Sequence, residues 1–450
     1  MEHTLYGFNY SQDIVHLQTK YALFKRVANI LFSVTFDEGF DEALMKKALQ
    51  LMVDRNDCLR LTFVKEGKEI KQYFEEKRSI GHIPSVRFET PIQMDRFIRR
   101  FRKKVVSPAK GETLKVVFAV DPSGHQMVII KISHMVADTY GIGVLVNDLT
   151  GIYAALKEGK ELPPAPGKFE DVLKKDMEYR ANEEALEKDR FYFKSYYEEK
   201  HPGQHPTYLG IHGNESDRWL KYKKKGNMSL PFLFVRCDTE GYRFVIPASV
   251  TTRAAAWCEQ RGIPMNSFFF YACAIACSLK NDRMPLQLPL ELMNCRATVT
   301  DRKAAGTKVQ SLSVYVSVDH EKSFAENVAE LFADQQELYR HTRMSYLEIE
   351  AMQHKLWNYS MLSQIINYCF SFIPMSTPKG THLQVYSNGK GALVSYMALI
   401  MDVDTNEIYV NYDIQTRMVK PVQLVDFQNL YIHVVETVLD NPDKPLKEIL

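Results

Sequence analysis

The sequence has no pair of cysteines at CxxC spacing, no leader-like N-terminus and no apolar run long enough to cross a bilayer. Its seven cysteines fall at irregular intervals. They are expected to stay thiols in a reducing compartment. The opening Met1-Glu-His-Thr-Leu-Tyr-Gly lacks a basic stretch followed by an apolar core, so no signal peptide is expected. The longest strongly apolar run, residues 268–279, is too short for a transmembrane helix. The formal net charge of only +2 leaves no basic footprint for a nucleic acid. These absences lead to the expectation of a soluble cytoplasmic protein, monomeric, with no nucleic-acid partner and no transmembrane segment.

The chain has 450 residues, 45% of them hydrophobic and 25% charged, an ordinary globular composition with room for two domains or one large pseudo-symmetric one. The stretch around which it is best organised is Lys131-Ile-Ser-His134-Met-Val-Ala-Asp138-Thr-Tyr-Gly141. Residues 114–120 and 126–132 read as strands joined by the turn Asp121-Pro-Ser-Gly124. Residues 140–156 carry apolar side chains at helical spacing. The pattern thus puts His134 at the end of a strand and Asp138 at the mouth of a helix. A histidine held there suits a general base. A lone His-x-x-x-Asp spacing is also common by chance, and a packed histidine is the bland alternative. A metal site at His134 and Asp138 lacks a third and a fourth ligand, so no metal is expected.

Upstream, residues 27–36 read as a strand and residues 37–53 as a helix capped by Asp41. Arg55 and Arg60 flank an apolar stem that leads into a second strand; a structural corner is expected there in preference to a carboxylate clamp. Residues 95–106 form a basic amphipathic pattern, read as a solvated helix face. Pro163, Pro164 and Pro166 mark a linker and the best domain boundary. Residues 174–200 read as helical. A long loop is expected over residues 201–225, ending in the cluster Lys221-Tyr-Lys-Lys-Lys225. The second half repeats the strand and helix grammar. Strands are expected at residues 241–246, 286–292, 306–318, 366–373, 391–401 and 407–412. Helices are expected at residues 249–260, 263–279, 324–357 and 421–439. Cys273 and Cys277 share one helical face and read as core residues. Strands and helices mixed through both halves indicate an α/β or α+β layered architecture.

Several stretches taken in order resemble the condensation-domain superfamily, which holds the amide-forming domains of nonribosomal peptide synthetases and related acyltransferases. Ser133-His134-Met-Val-Ala-Asp138-Thr139 resembles that family's His-His-x-x-x-Asp-Gly motif at its second His and its Asp. Arg55-Asn-Asp-Cys-Leu59-Arg60-Leu-Thr-Phe63 resembles an upstream Arg-His-Glu-x-Leu-Arg-Thr-x-Phe motif. Arg296 and Gly306 resemble an Arg at a strand end followed by a Gly before the next strand. The resemblance spans the whole chain. It departs at Ser133, in place of the first His, and at Thr139, in place of the Gly.

The resemblance implies two chloramphenicol-acetyltransferase-like halves, taken as residues 1–165 and 166–450, arranged as a V with the motif histidine in a central tunnel. It implies a stand-alone acyltransferase that moves an acyl group from a thioester to an amine or an alcohol. The donor is acyl-CoA or a phosphopantetheinyl carrier protein, and no tightly bound cofactor is needed. His134 is the implied base or acceptor-positioning residue. Asp138 and Arg296 are the implied structural salt bridge beside it; the substrate-binding residues remain unassigned. The competing expectation, prompted by Ser133 and Thr139, is a non-catalytic module that binds carrier proteins or serves as a scaffold.

Overall fold

The computed structural model describes residues 3–199, 230–231, 237–280, 287–293, 296, 298–358, 363–364, 368–376, 378–391, 393 and 395–450. The loop expected over residues 201–225, with its lysine cluster, lies outside the described residues. Two compact units form, and neither is one continuous piece. The first comprises Met1–Asn182, Arg296–Val309 and Met375–Lys390; the second comprises Glu183–Cys295, Gln310–Pro374 and Gly391–Leu450.

This division differs from a single cut at residue 165, for two physical reasons. Residues 169 and 170 donate their main-chain N–H groups to the Asp57 carboxylate at 2.8 and 3.0 Å, and Phe169, Val172 and Leu173 join the core of the first unit. The strand Thr381–Tyr386, far along the chain, pairs antiparallel with an edge of that unit's sheet.

The first unit runs α1 (Tyr10–Tyr21), β1 (Asn29–Phe36), α2 (Glu42–Arg55), β2 (Leu61–Glu66), β3 (Glu69–Phe74), β4 (Ser85–Arg87), α3 (Pro91–Phe101), β5 (Leu114–Val120), β6 (Gln126–Ser133), α4 (Thr139–Glu158) and α5 (Phe169–Ala181). Its sheet has the order Thr381–Tyr386, β1, β6, β5, β4, and β2 and β3 form a separate hairpin. Period-two alternation divides the side chains between the two faces of the sheet. Phe32, Val34, Phe118, Val128, Ile130 and Ile132 pack with Met45, Leu49 and Met52 of α2 and Ile142, Leu145 and Leu149 of α4. Leu31, Val117, Met127 and Ile129 face the other way, against Ile98 and Phe101 of α3. β6 is therefore buried on both faces, which is why its sequence reads as nearly continuous apolar residues.

Local caps set the element ends. Asp41 accepts the Leu44 N–H at 2.8 Å and starts α2, so residues 37–40 lie outside the helix expected there. The basic helix starts at Pro91 behind a Thr90 cap and stops at Phe101, earlier at both ends than the expected 95–106. Val106 lies outside the helix, its N–H and carbonyl both taken by the Asn29 side chain.

In the second unit the sheet order is Ser311–Ser317, Gln287–Met293, Tyr368–Met375, Ser395–Asp402, Ile408–Gln415 and Thr239–Ile246. Helices Ala248–Arg261, Met265–Lys280, Phe324–Arg340 and Pro421–Asp440 contribute to its core. The single helix expected over residues 324–357 is two, Phe324–Arg340 and Tyr346–Leu356. The chain turns at His341, which is buried and meets the Asp189 carboxylate at 2.7 Å, and Ser345 then opens the next helix. Every residue from Ser267 to Ser278 is buried, Cys273 and Cys277 included. No single described helix is long and apolar enough to cross a membrane.

Candidate active site

The turn that follows β6 is held at nearly every peptide. Ser133 N–H donates to the Thr113 carbonyl at 3.0 Å, and His134 N–H donates to the Ala28 carbonyl at 2.8 Å. Ser133 itself is buried; its carbonyl accepts from Val136 and Ala137, and its Oγ accepts the Met135 N–H at 3.3 Å. A serine at the place of the motif's first histidine therefore closes the turn locally. From α1, the Gln12 amide donates to the Met135 carbonyl at 2.9 Å, and Thr307 Oγ1 donates to the His134 carbonyl at 2.5 Å.

The His134 side chain is half-buried, and its Nδ1 is enclosed with no partner beyond its own main chain. Burial lowers its pKa below the usual imidazole value; the nearby Asp138 carboxylate opposes that shift without cancelling it. The ring is thus held neutral near pH 7.

Asp138 caps α4, its Oδ1 accepting the Gly141 N–H at 2.7 Å. The same oxygen accepts from Arg296 Nη2 at 2.6 Å, and Oδ2 accepts the Lys308 N–H at 2.7 Å. Arg296 also donates to the carbonyls of Asp301, Ala304 and Gly306 at 2.6 to 2.9 Å, and its Cζ lies 4.7 Å from the centre of the Tyr140 ring. Both side chains are buried, with 5% and 3% exposure for Asp138 and Arg296. A buried ion pair whose two carboxylate oxygens and two guanidinium Nη atoms are all hydrogen-bonded locks geometry, although Arg296 Nε is enclosed without a hydrogen-bond partner; losing one member of the pair strands the other charge. The arrangement ties the mouth of α4 to the segment Arg296–Val309.

The close approach also explains Gly141. A Cβ built there would fall 1.9 Å from the Ala305 carbonyl oxygen. Thr139, at the motif's glycine position, is half-buried, and the tight contact falls two residues later. Gly306 is equally constrained, since a Cβ would fall 1.8 Å from the Phe169 ring.

Arg55 and Arg60 stand apart from this chemistry. Arg55 meets Asp148 at 3.0 Å and the Pro163 carbonyl at 2.7 Å; Arg60 donates to the carbonyls of Val53, Asp54 and Glu75. Arg60 pins the corner between α2 and β2, and Arg55 ties the end of α2 to α4 and the proline-rich segment. Among the described residues, no group of three or more His, Cys, Asp or Glu side chains is placed to hold a metal.

Several residues that hold the site escaped the sequence reading. Asn9 and Gln12 form a reciprocal capping box at the start of α1, Asn9 donates to the Thr307 carbonyl at 2.9 Å, and Ser11 donates to the Val309 carbonyl at 2.5 Å. The local signal was present as Asn9-x-x-Gln12, an N-cap followed three residues on by Gln. Their partners lie some 298 positions away and carry no local signal.

The fold matches solved structures over nearly its full length. A variant of the starter condensation domain of rhizomide synthetase RzmA, in complex with C8-CoA, superposes with a TM-score of 0.80 at 16% identity, covering 99% of this chain and 98% of that one. The first condensation domain of the calcium-dependent antibiotic synthetase, in complex with a substrate analogue, gives 0.79 at 14% identity, covering 99% of both chains. In sequence the chain is similar to a plipastatin synthase polypeptide of Bacillus subtilis, at 20% identity over 460 residues. Surfactin synthase subunit 1 of the same species is also 20% identical, over 464 residues. Both alignments cover all of this chain but only 17% and 12% of those much longer proteins. The sequence pattern of the condensation domain matches residues 11–450, and the chain belongs to the condensation domain family, with its chloramphenicol-acetyltransferase-like mixture of helix and sheet.

Proposed function

We propose that this chain is a self-contained condensation-type acyltransferase, taking an acyl group from a thioester and passing it to an amine or an alcohol. The observation that carries the reading is His134: a half-buried imidazole at a rigid strand end, its pKa lowered by burial and its Nδ1 enclosed. That leaves Nε2 as the nitrogen able to accept a proton. His134 Nε2 takes the proton from the acceptor N–H or O–H as that atom attacks the thioester carbonyl. The carbon–sulfur bond breaks, the thiolate leaves, and the imidazolium returns a proton to it. A general base contributes about 10²–10⁴-fold, and holding the two reactants together contributes more. Asp138 and Arg296 act as positioning residues.

The donor is acyl-CoA or an acylated carrier protein. The complex of the rhizomide starter domain with C8-CoA supports the first choice, and the likeness to peptide synthetases supports the second. The test is incubation with octanoyl-CoA and an octanoylated carrier protein against a panel of amines and alcohols, read by mass spectrometry. An amide or ester product that disappears in His134→Ala is expected. Carrier binding without any product would replace the reading by the scaffold.

A further inference from the structure

Two turns meet at one end of the first unit's sheet. The first joins α1 to β1 and presents Tyr21, Leu23 and Phe24 to solvent, 57%, 64% and 42% exposed. Exposed Lys20 and Lys25 flank them. The turn is held firmly by its own hydrogen bonds. Ala22 is buried and donates its N–H to the Gln18 carbonyl at 2.9 Å, the Val27 N–H donates to the Phe24 carbonyl at 3.0 Å, and Lys25 Nζ donates to the Thr19 carbonyl at 2.6 Å. The second turn follows α3 and presents Lys103, Lys104 and Val105, with Val105 41% exposed.

Side-chain contacts join the two turns. The Asn29 amide, at the start of β1, takes both the N–H and the carbonyl of Val106, at 2.9 and 2.8 Å. The Arg102 guanidinium, at the head of the second turn, packs on Gly389, where a Cβ would fall 2.8 Å from Cζ. The next residue, Lys390, puts its Nζ 4.1 Å from the centre of the Phe24 ring. From β6, the fully buried Lys131 donates Nζ to the Arg102 carbonyl. Desolvation first, then the positive charges of Arg26, Lys115 and Arg102, pull the Lys131 ammonium down to about 7. This end of the unit is basic in sequence as well. Residues 14–36 and 96–111 hold Lys and Arg but no Asp or Glu, and the flanking Asp95 and Glu112 are paired with Arg99 and Lys115 at 2.7 and 2.5 Å.

Single exposed apolar side chains are ordinary on a protein surface. A firmly held turn that carries two aromatic rings and a leucine outward together, among exposed lysines, matches the interface of an anionic bilayer. There the apolar side chains leave water while the ammonium groups stay among the headgroup phosphates. Lysine also argues against a protein partner, whose contact surface is typically depleted in it. We propose that residues 20–25 and 103–105 dock this protein on an anionic lipid surface, with Leu23 and Phe24 seated in the interface and Lys20, Lys25, Lys103 and Lys104 on the headgroups. The proposal stands apart from the thioester reading, since none of these side chains takes part in it.

The experiment sediments the full chain with vesicles of two parts phosphatidylcholine to one part phosphatidylserine, and with vesicles of phosphatidylcholine alone. Binding to the anionic vesicles is expected to be about a hundredfold tighter, and to fall steeply in high salt, since a lysine near an anionic surface contributes about fivefold. Lys103→Gln with Lys104→Gln is expected to weaken that binding by about twentyfold. Leu23→Ser with Phe24→Ser is expected to weaken it by about tenfold or more, through the lost apolar contact. All four side chains are exposed, so both double variants should keep the wild-type melting curve. Phe191→Ser, which removes a phenylalanine 75% exposed on the second unit, should leave binding unchanged. Equal binding to the two kinds of vesicle, or none to either, overturns the proposal. So does anionic binding that survives both double variants. Capture of an acidic carrier protein through these lysines, with no vesicle binding, overturns it in favour of a protein partner.

Discussion

Two buried regions of this molecule are held by opposite physics. In the second unit, Met265–Lys280 is a helix buried on all sides among Phe324, Phe370, Phe427 and Val434. Its stability is a matter of apolar area removed from water and close packing. In the first unit, the mouth of α4 buries Asp138 and Arg296 in a polar network that ends on main-chain carbonyls and N–H groups. The apolar helix accepts any side chain of the right shape. The polar network accepts one donor set in one geometry, and it is the region that lies beside His134.

The largest expected effects break each region in turn. Phe270→Ala opens a cavity and is expected to cost about 3–5 kcal/mol; Asp138→Ala or Arg296→Ala is expected to cost about the same by stranding a charge. Denaturant unfolding separates the two mechanisms. The double variant Asp138→Ala with Arg296→Ala should lose less than the sum of its singles, whereas Phe270→Ala should add to either. Additive loss at Asp138 and Arg296 would mean the network is not coupled. Fully stable but inactive Asp138→Ala protein would move Asp138 into the chemistry.

Next in size is His134→Ala. Turnover is expected to fall by at least about a hundredfold, close to 2.7 kcal/mol of barrier, with the melting curve little changed. Most of the activity surviving would remove His134 from the base role. Gly141→Ala sharpens the comparison from the backbone side, because the new methyl meets the Ala305 carbonyl oxygen. A loss of about 1–3 kcal/mol in thermal or chemical unfolding is expected. An equally stable variant would show that the segment around Ala305 yields.

The smallest effects are read against pH. The His134 pKa lies below its unfolded value, so between the two the unfolded chain binds a proton that the native state refuses. Stability from this group is present above about 6.5 and is lost as pH falls below it; turnover should fall on the same acid side. Lys131, at about 7 when folded, behaves likewise over a higher window: stability should rise as pH rises from about 7 toward the ordinary lysine value near 10.4. Lys131→Met should flatten that rise and stabilise the protein most below pH 7, as followed by urea midpoints. An unchanged pH profile in this variant would place the charge elsewhere.

Much of this was legible in the amino-acid sequence. The hairpin β5–β6, the Asp41 and Asp138 caps and the helix α4 follow from local rules, because turn residues, strand runs and capping side chains act within a few positions. The break between Phe324–Arg340 and Tyr346–Leu356 was not legible: the helical pattern continues across it, and the contact of His341 with Asp189 decides otherwise. The strand Thr381–Tyr386 was missed for a related reason, as its side chains alternate only between half-buried and exposed, and its pairing with β1 is remote.

What the sequence determined by itself is the layered mixture of helix and sheet, and the placing of one histidine at a strand end with one aspartate at a helix start. Those depend on period, propensity and capping, which are local. The Asp138–Arg296 pair was implied only by the family resemblance; the tertiary structure decided that Asp138 also accepts from Gly141 and Lys308, and that Lys131 is buried among positive charges. Distances and desolvation depend on which distant segments meet, and nothing in the spacing of residues along the chain states them.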